Sequence, residues 1–145
     1  MRRMRALIVG LCLMFTLFAA TPASAATGTR HQMFVATNDS RAAHSVPRLA
    51  LSDRLSRLAH RHSVAMARAG RLFHTSNVQI YLSRVHWHVW GENVGVTSGS
   101  ISGLERMFMR SPEHRHNILD RAFKHVAIGV YNHGGRLWVT VFFYG

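Results

Sequence analysis

The feature that most constrains the fold of this chain is an almost entirely apolar stretch near its C-terminus, from Arg136 to Tyr144. Successive side chains of a β-strand point to opposite faces, so a strand that is apolar at every position presents apolar groups to both faces. The sequence therefore predicts a central strand that is covered on both sides. The alternating stretch from Phe123 to Tyr131 predicts a second strand. Between them, Asn132-His133-Gly134-Gly135 favours a hairpin turn.

Helical patterns lie before this hairpin. The clearest runs from Leu51 to Ala69, where apolar residues recur at helical spacing on one face. Ser52 suits its N-terminus, and Gly70 suits the left-handed position that follows a helix. Shorter helices are predicted from Met33 to Ala43 and from Leu104 to Arg110. Because the helices come first and no βαβ rhythm is present, the sequence indicates an α+β fold of packed layers.

The region between the second helix and the third has weaker patterns. Alternation from Val85 to Val89 predicts a short strand or an extended arm. The stretch from Gly91 to Gly103 is rich in glycine and serine and is expected to be a loop. Ser102 and Glu105 have the spacing of a capping box, which makes Glu105 a helix cap, and Met107 is expected to face inwards.

The first 25 residues have the pattern of a secretory signal peptide. Three arginines precede an apolar run from Ala6 to Ala20, which is short of the ~20 residues that a membrane span needs. Cleavage is expected after Ala25, leaving a flexible N-terminus at residues 26–31, one domain at residues 32–145 and no transmembrane segment. Cys12 lies in the removed part, so the mature chain would fold without disulfides, which is typical of a bacterial exported protein. We expect a secreted, extracellular protein.

The chain is strongly basic, with 18 lysine and arginine residues against 6 acidic ones. The arginines are spread along the helical segments and do not form a block, which indicates a solvated basic face. Such a face would attract anionic polymers of the cell envelope or lipid head groups. No nucleic-acid-binding motif is present, and nucleic acid is not expected as a partner.

Two short stretches carry the least generic chemistry, namely Gly91-Glu92-Asn93-Val94-Gly95 and the nine residues from Ser111 to Leu119. Ser111 suits an N-cap and places His114 in the rigid first turn of a helix. His74 follows the end of the second helix. Together with Glu92, the two histidines supply the ligand types of a divalent metal site or a proton-transfer site. His62 lies on an apolar helix face and is interpreted as a hydrogen-bonded core histidine.

These stretches resemble, in order, the motifs of the CAP superfamily, which includes the cysteine-rich secretory proteins, antigen five and the plant pathogenesis-related proteins. The resemblance is strongest to its short bacterial secreted members, and it extends from about Met33 to the C-terminus. The matching segments are Asn38 to Arg41 with Leu49; Ala59, His62, Met66, Gly70 and His74; Gly91-Glu92-Asn93; Ser111 to Leu119; Phe123; Ile128 to Val130; and Trp138 to Phe142. Ser111 to Leu119 is similar to the bacterial motif Ser-Pro-Gly-His-Arg-x-Asn-Ile-Leu.

The resemblance implies a three-layer α-β-α sandwich with a small, mainly antiparallel central sheet. It also implies a cleft that many members line with two histidines and two acidic residues. The histidines correspond to His74 and His114, and the first acid corresponds to Glu92. Asn93 and Ser111 are expected to line the same cleft.

The second acidic residue of the family has no direct counterpart. Many eukaryotic members have a glutamate three residues after a tryptophan, where this chain has Phe108 and Ser111. Glu105 and Glu113 are the candidate substitutes. Two imidazoles and one carboxylate can hold Zn²⁺ with an open fourth position, and the same groups can instead form a hydrogen-bonded network that fixes the Glu92 turn.

Three functions are therefore open. The leading hypothesis is a secreted binding protein whose cleft and basic surface engage a lipid or an anionic envelope component, with Zn²⁺ as a possible cofactor of the cleft. The first alternative is a metal-dependent hydrolase, such as a peptidase, with His74 and His114 on the metal and Glu92 as general base. The second is a cationic protein that damages envelopes and binds anionic membranes in a salt-sensitive way, even after His74→Ala.

Overall fold

The computed structural model describes residues 22–83 and 85–145, so the predicted signal peptide lies outside the described residues except for its last four positions. Five helices and four strands are present in these residues. They are, in chain order, α1 (Pro22–Ala43), β1 (Ala50–Leu51), α2 (Asp53–Ala69), α3 (Gln79–Leu82), β2 (Trp90–Thr97), α4 (Ile101–Arg110), α5 (Pro112–Leu119), β3 (His125–His133) and β4 (Arg136–Tyr144). Among them, no helix is both long and apolar enough to cross a membrane.

The four strands form one mixed sheet in the order β1-β3-β4-β2. β1 runs parallel to β3, whereas β3 and β2 both run antiparallel to β4. The hairpin between β3 and β4 turns at Gly134 and Gly135, both with positive φ, as the sequence predicts. β4 lies inside the sheet and is buried from Trp138 onwards, which explains why its residues are apolar at nearly every position. β2 forms one edge.

Helices cover both faces of this sheet. Because side chains alternate along a strand, Ala127 and Phe142 face α2, whereas Ile128 and Val141 face the opposite layer. That opposite layer consists of α1, α4 and α5. The architecture is α+β with a covered mixed sheet, consistent with the sandwich that the resemblance implies.

α2 is fixed at both ends and along its length. The Ser52 hydroxyl accepts a hydrogen bond from the backbone N–H of Leu55 (3.3 Å), and Gly70 ends the helix at φ 64°. Along the helix, the Ser63 hydroxyl donates to the carbonyl of Gly129 (3.1 Å). A Cβ atom at Gly129 would lie 2.1 Å from the carbonyl carbon of Ala59, so only glycine allows α2 to approach β3 this closely.

A buried arginine joins α1 to the segment between α5 and β3. The guanidinium of Arg41 is fully buried and donates hydrogen bonds to the carbonyl oxygens of Pro47 (2.7 Å), Ile118 (2.7 Å), Asp120 (2.9 Å) and Phe123 (3.2 Å). Burial lowers the pKa of Arg41, and the nearby carboxylate of Asp120 offsets part of this effect. These bonds hold α5, which carries His114, in place against α1.

The predicted loop from Gly91 to Gly103 is wrong in its first half, because β2 occupies it and pairs with β4 along its length. The glycines of this strand allow neighbouring side chains to pack closely against it; they do not make it flexible. A Cβ atom at Gly91 would lie 2.8 Å from Oδ1 of Asn117, and one at Gly95 would lie 2.8 Å from the ring of Phe108.

The capping box at Ser102 and Glu105 is also wrong. α4 begins one residue after Ser100, whose hydroxyl accepts a hydrogen bond from the N–H of Gly103 (3.1 Å). Glu105 is instead buried between α4 and α1. Met107, expected to face inwards, is 57% exposed. The inner face of α4 is formed instead by the residue three positions before it and the residue directly after it.

Two further segments bear on the sequence-based expectation. Of the short strand or extended arm predicted for residues 85–89, no strand forms; Val85 and Trp87 pack against the α2 layer, and Val89 exchanges backbone hydrogen bonds with Gly145 (3.2 and 3.1 Å). Residues 26–31, expected to be a flexible start, continue α1 towards its beginning at Pro22, a residue that the first turn of a helix tolerates. Arg30 in this extension forms an ion pair with Asp53 of α2 (3.1 Å).

Candidate functional site

The candidate site is built around the β2 edge of the sheet, at the start of this strand. Glu92 and Asn93 are neighbours in this strand, so their side chains point to opposite faces. Glu92 pairs in register with Phe142 and therefore faces the α2 layer, whereas Asn93 faces the layer of α4 and α5. The site consequently has two halves, one on each side of the β2 edge.

The first half is a buried carboxylate that accepts three hydrogen bonds. The side chain of Glu92 is 1% exposed. Its Oε1 atom accepts from Nδ1 of His74 (2.9 Å) and from the backbone N–H of Thr75 (2.9 Å), and its Oε2 atom accepts from the Thr75 hydroxyl (2.6 Å). These bonds fix the loop after α2 to β2 and orient the imidazole of His74, whose side chain is 64% exposed.

His62 also belongs to this half, which the sequence did not reveal. Its Nδ1 atom lies 3.7 Å from Oε2 of Glu92 and 3.2 Å from the Thr140 hydroxyl, and its Nε2 atom is buried without a hydrogen-bond partner. The interpretation as a hydrogen-bonded buried histidine fits the contact with Thr140, but the carboxylate neighbour was not expected. Burial lowers the pKa of His62, an effect that Glu92 opposes and His74 reinforces.

The second half holds His114 against the other face of β2. The side-chain amide of Asn93 donates to the backbone carbonyl of His114 (3.0 Å), and the amide of Asn117 donates to Oδ1 of Asn93 (2.9 Å). Ser111 stands at the N-cap position of α5 as predicted, but its hydroxyl bonds Nδ1 of His114 (2.8 Å) and no backbone N–H. The ring of His114 packs against Phe108, with 4.9 Å between centroids.

The two halves influence each other electrostatically. The pKa of His114 is lowered, first by burial and then by the positive charge that His74 can carry, while Glu113 opposes the shift. His74 and His114 therefore lie within electrostatic range of each other around the β2 edge. Both pKa effects favour the neutral imidazole of His114, which is the form that binds metals.

Neither candidate for the second acid completes the site. Glu105 lies between α1 and α4, where Oε2 accepts from the hydroxyl of Thr37 (3.2 Å) and Oε1 has no hydrogen-bond partner among the described residues. Burial raises the pKa of its carboxyl, and hydrogen bonding from Ser40 and Thr37 offsets part of the shift. Glu113 is exposed in the first turn of α5.

The residues fit a metal ion only in part. Within residues 22–83 and 85–145, no group of three or more histidine, cysteine or acidic side chains is arranged to hold one. Both oxygens of Glu92 are occupied, so this carboxylate orients His74 and is not itself a free ligand. His74 and His114 each have Nδ1 fixed by a hydrogen bond while Nε2 has no such partner in the described chain, which is the usual state of metal-binding histidines.

Similarity to solved structures supports this architecture. One is an extracellular protein containing a SCP domain from Bacillus anthracis, with 27% identity, a TM-score of 0.74, and an alignment covering 87% of this chain and 44% of that one. A cysteine-rich secretory protein from Staphylococcus aureus has 18% identity and a TM-score of 0.70, over 85% and 40% of the two chains. The chain thus spans less than half the length of these two proteins.

An outer surface protein from Borrelia burgdorferi has a length closer to that of this chain. It shares 14% identity and a TM-score of 0.68, over 81% of this chain and 92% of that one, which shows the fold alone. No curated protein gives a significant sequence match. The family model described as the cysteine-rich secretory protein family, CAP, matches residues 34–143, most of the chain. The chain therefore belongs to the CAP family.

Proposed function

We propose that the protein is exported and acts by binding, with the cleft around the β2 edge as its recognition site for a lipid or an anionic envelope component. Its predicted signal peptide and its similarity to a Bacillus anthracis protein described as extracellular support export. The main observation in support of the binding role is that His74 and His114 are each fixed at Nδ1 by a hydrogen bond.

A divalent metal held by the two cleft histidines would serve this role. His74 and His114 would hold it through their Nε2 atoms, with Glu92 fixing the tautomer of His74 and Ser111 orienting the ring of His114. The remaining coordination positions would be open to water or to an oxygen of the ligand. Zn²⁺ in such a site supplies positive charge that attracts carboxylate or phosphate groups.

The contacts of Glu92 favour binding over hydrolysis. A general base needs an oxygen within reach of the proton that it removes. Oε1 of Glu92 already accepts two hydrogen bonds and Oε2 accepts the Thr75 hydroxyl, in a side chain that is 1% exposed. The carboxylate is therefore placed to orient His74 and not to activate water.

Calorimetric titration with Zn²⁺ tests the proposal on the wild type, His74→Ala, His114→Ala and the control His133→Ala, which removes an exposed histidine of the hairpin. We expect Zn²⁺ to bind the wild type and the control alike. Loss of either cleft histidine should weaken binding at least tenfold, because too few protein ligands then remain. The melting temperature of each variant in zinc-free buffer should stay close to that of the wild type.

Two results would contradict the metal-binding role of the cleft. One is a wild type whose zinc affinity does not depend on His74 or His114 more than on His133. The other is failure of His114→Ala to bind Zn²⁺ together with a large fall in its zinc-free melting temperature, which would make the cluster a structural network.

A further inference from the structure

Four arginines share one exposed face of α2, which we name the arginine ridge: Arg54, Arg57, Arg61 and Arg68. At 3.6 residues per turn they fall within an arc of about 60° and span about 21 Å along the helix. None of them forms an ion pair with another described residue, although salt bridges occur elsewhere in the described chain. The ridge is therefore a row of uncompensated positive charges.

The acidic residues of the chain lie where they do not neutralise the positive charge of the ridge. The chain has six acidic residues, and only one of them lies on α2. Asp53 is paired with Arg30 (3.1 Å) and Asp39 with Arg48 (3.1 Å); Glu92 and Glu105 are buried; and Glu113 and Asp120 lie on or directly after α5, in the opposite layer. Apart from Asp53, which is exposed at the start of α2 and paired with Arg30, no exposed carboxylate lies on the same helix as the ridge.

Two cavities flank the ridge and share Arg57 and Arg61 as walls. The first, of about 370 Å³, is closed on its other side by Arg30 and His60. The second, of about 410 Å³, lies between the ridge and α3 and also includes Arg54. Each cavity thus offers three arginines around one concave space. Guanidinium groups in such an arrangement can donate several hydrogen bonds to a phosphate.

Exposed apolar side chains lie beside these cations. Ile80 of α3 borders the second cavity together with Tyr81 and is 51% exposed. Tyr81 stacks on Phe142 (4.3 Å between centroids), and Phe142 stacks on Trp90 (6.0 Å), which is 44% exposed. Ile80 is thus the chain neighbour of a stack of aromatic rings that ends at Trp90, on the α2 side of the sheet. Cations next to exposed aliphatic and tryptophan side chains are the composition of surfaces that lie in a membrane interface.

We propose that the arginine ridge, with Ile80 and Trp90, is a peripheral membrane-binding surface for bilayers that contain anionic phospholipids. Lipid phosphates occupy the cavities on either side of the ridge, and the apolar side chains enter the interface. The inference rests on the proposed function in taking the target to be an anionic envelope component, but its cationic residues lie on α2 and are distinct from the two cleft histidines. We favour a bilayer over a soluble polyanion as the partner, because a soluble polyanion has no apolar region in which the side chain of Ile80 could be buried.

Sedimentation with vesicles of phosphatidylglycerol and phosphatidylcholine tests the proposal. The variant Arg57→Gln/Arg61→Gln removes two charges that both cavities share, and Arg106→Gln/Arg136→Gln removes two exposed charges from α4 and β4. Each cation near an anionic surface contributes about fivefold, so the ridge variant should bind about 25-fold more weakly and the control variant far less so. Because all variants carry the same N-terminal residues, the contribution of those residues cancels.

Two further measurements separate the membrane surface from the metal site of the cleft and from simple charge attraction. Vesicle binding is measured in zinc-free buffer, where it should still depend on Arg57 and Arg61, so a failed zinc titration would leave this inference standing. Ile80→Ser should weaken the binding that remains at 0.5 M salt, where charge attraction is screened. Equal losses for the ridge and control variants would overturn the inference. So would ridge-dependent binding of soluble polyphosphate that matches or exceeds binding to vesicles, since the partner would then be a polyanion.

Discussion

Arg41 and Glu92 are both buried charged residues that stabilise the fold through backbone contacts. Arg41 donates to four carbonyl groups from two separate segments, and Glu92 accepts from the backbone of Thr75 as well as from side chains. A buried charge is tolerated when such bonds replace its hydration. Each residue therefore fixes a segment that carries one of the two cleft histidines.

Arg41→Lys should destabilise the protein strongly while keeping its charge. An ammonium group cannot span the carbonyls that the planar guanidinium reaches, so at least two charge-assisted bonds are lost, at a cost of about 3 kcal/mol in unfolding free energy. The control Arg48→Lys changes an exposed arginine that pairs with Asp39 and should cost less than about 0.5 kcal/mol. Denaturant titrations measure both, and a loss below 1 kcal/mol for Arg41→Lys would refute the assigned role.

Site residues were predictable from sequence where a local motif placed them. Ser111 and Pro112 mark the start of α5 and so place His114 in its first turn, and Gly70 marks the helix end after which His74 follows. His62 had no such signal. Its proximity to Glu92 depends on the distance between α2 and β2 across the sheet, which no local pattern encodes.

At the scale of elements, the hairpin and α2 were predictable, whereas β2 was not. β3, β4 and α2 carry strong apolar periodicity and turn or capping residues at their ends. β2 contains Gly91, Glu92, Asn93 and Gly95, residues that are depleted in strands. It forms because β4 supplies its hydrogen bonds and because neighbouring side chains fill the space beside its glycines. Tertiary contacts therefore outweighed local preference.

Gly129→Ala tests the close approach of α2 to the sheet. The added Cβ would lie 2.1 Å from the carbonyl carbon of Ala59, and backbone on both sides leaves no flexible group to yield. We expect a loss of about 3 kcal/mol in unfolding free energy, at the upper end for overpacking. Gly99→Ala is the matched control, because its Cβ would meet only the Thr97 hydroxyl at 3.4 Å. Near-equal stability of the two variants would show that α2 can move away without cost.

At the scale of the whole molecule, the buried titratable groups contribute to the unfolding free energy with opposite dependences on pH. Burial lowers the pKa of His62 and His114 and raises that of Glu105. As the pH falls, these two histidines are protonated in the unfolded chain before they are protonated in the folded chain. The unfolding free energy therefore falls as the pH drops below about 7. For Glu105, the folded chain holds the proton more tightly than the unfolded chain does, so its contribution to the unfolding free energy falls as the pH rises above 4.5, the ordinary pKa of a glutamate.

The histidine contribution should dominate acid destabilisation, because 11 histidines add to the excess of basic residues as the pH falls. His62→Gln keeps a group that can bond the Thr140 hydroxyl but cannot be protonated. Between pH 7.5 and 5.5 the variant should lose less unfolding free energy than the wild type, by at most about 1.4 kcal/mol per pH unit. Denaturant titrations at pH 5.5, 6.5 and 7.5 measure this difference. The exposed hairpin variant His133→Gln should follow the wild type, and a His62→Gln profile parallel to both would mean that burial of His62 does not link folding to pH.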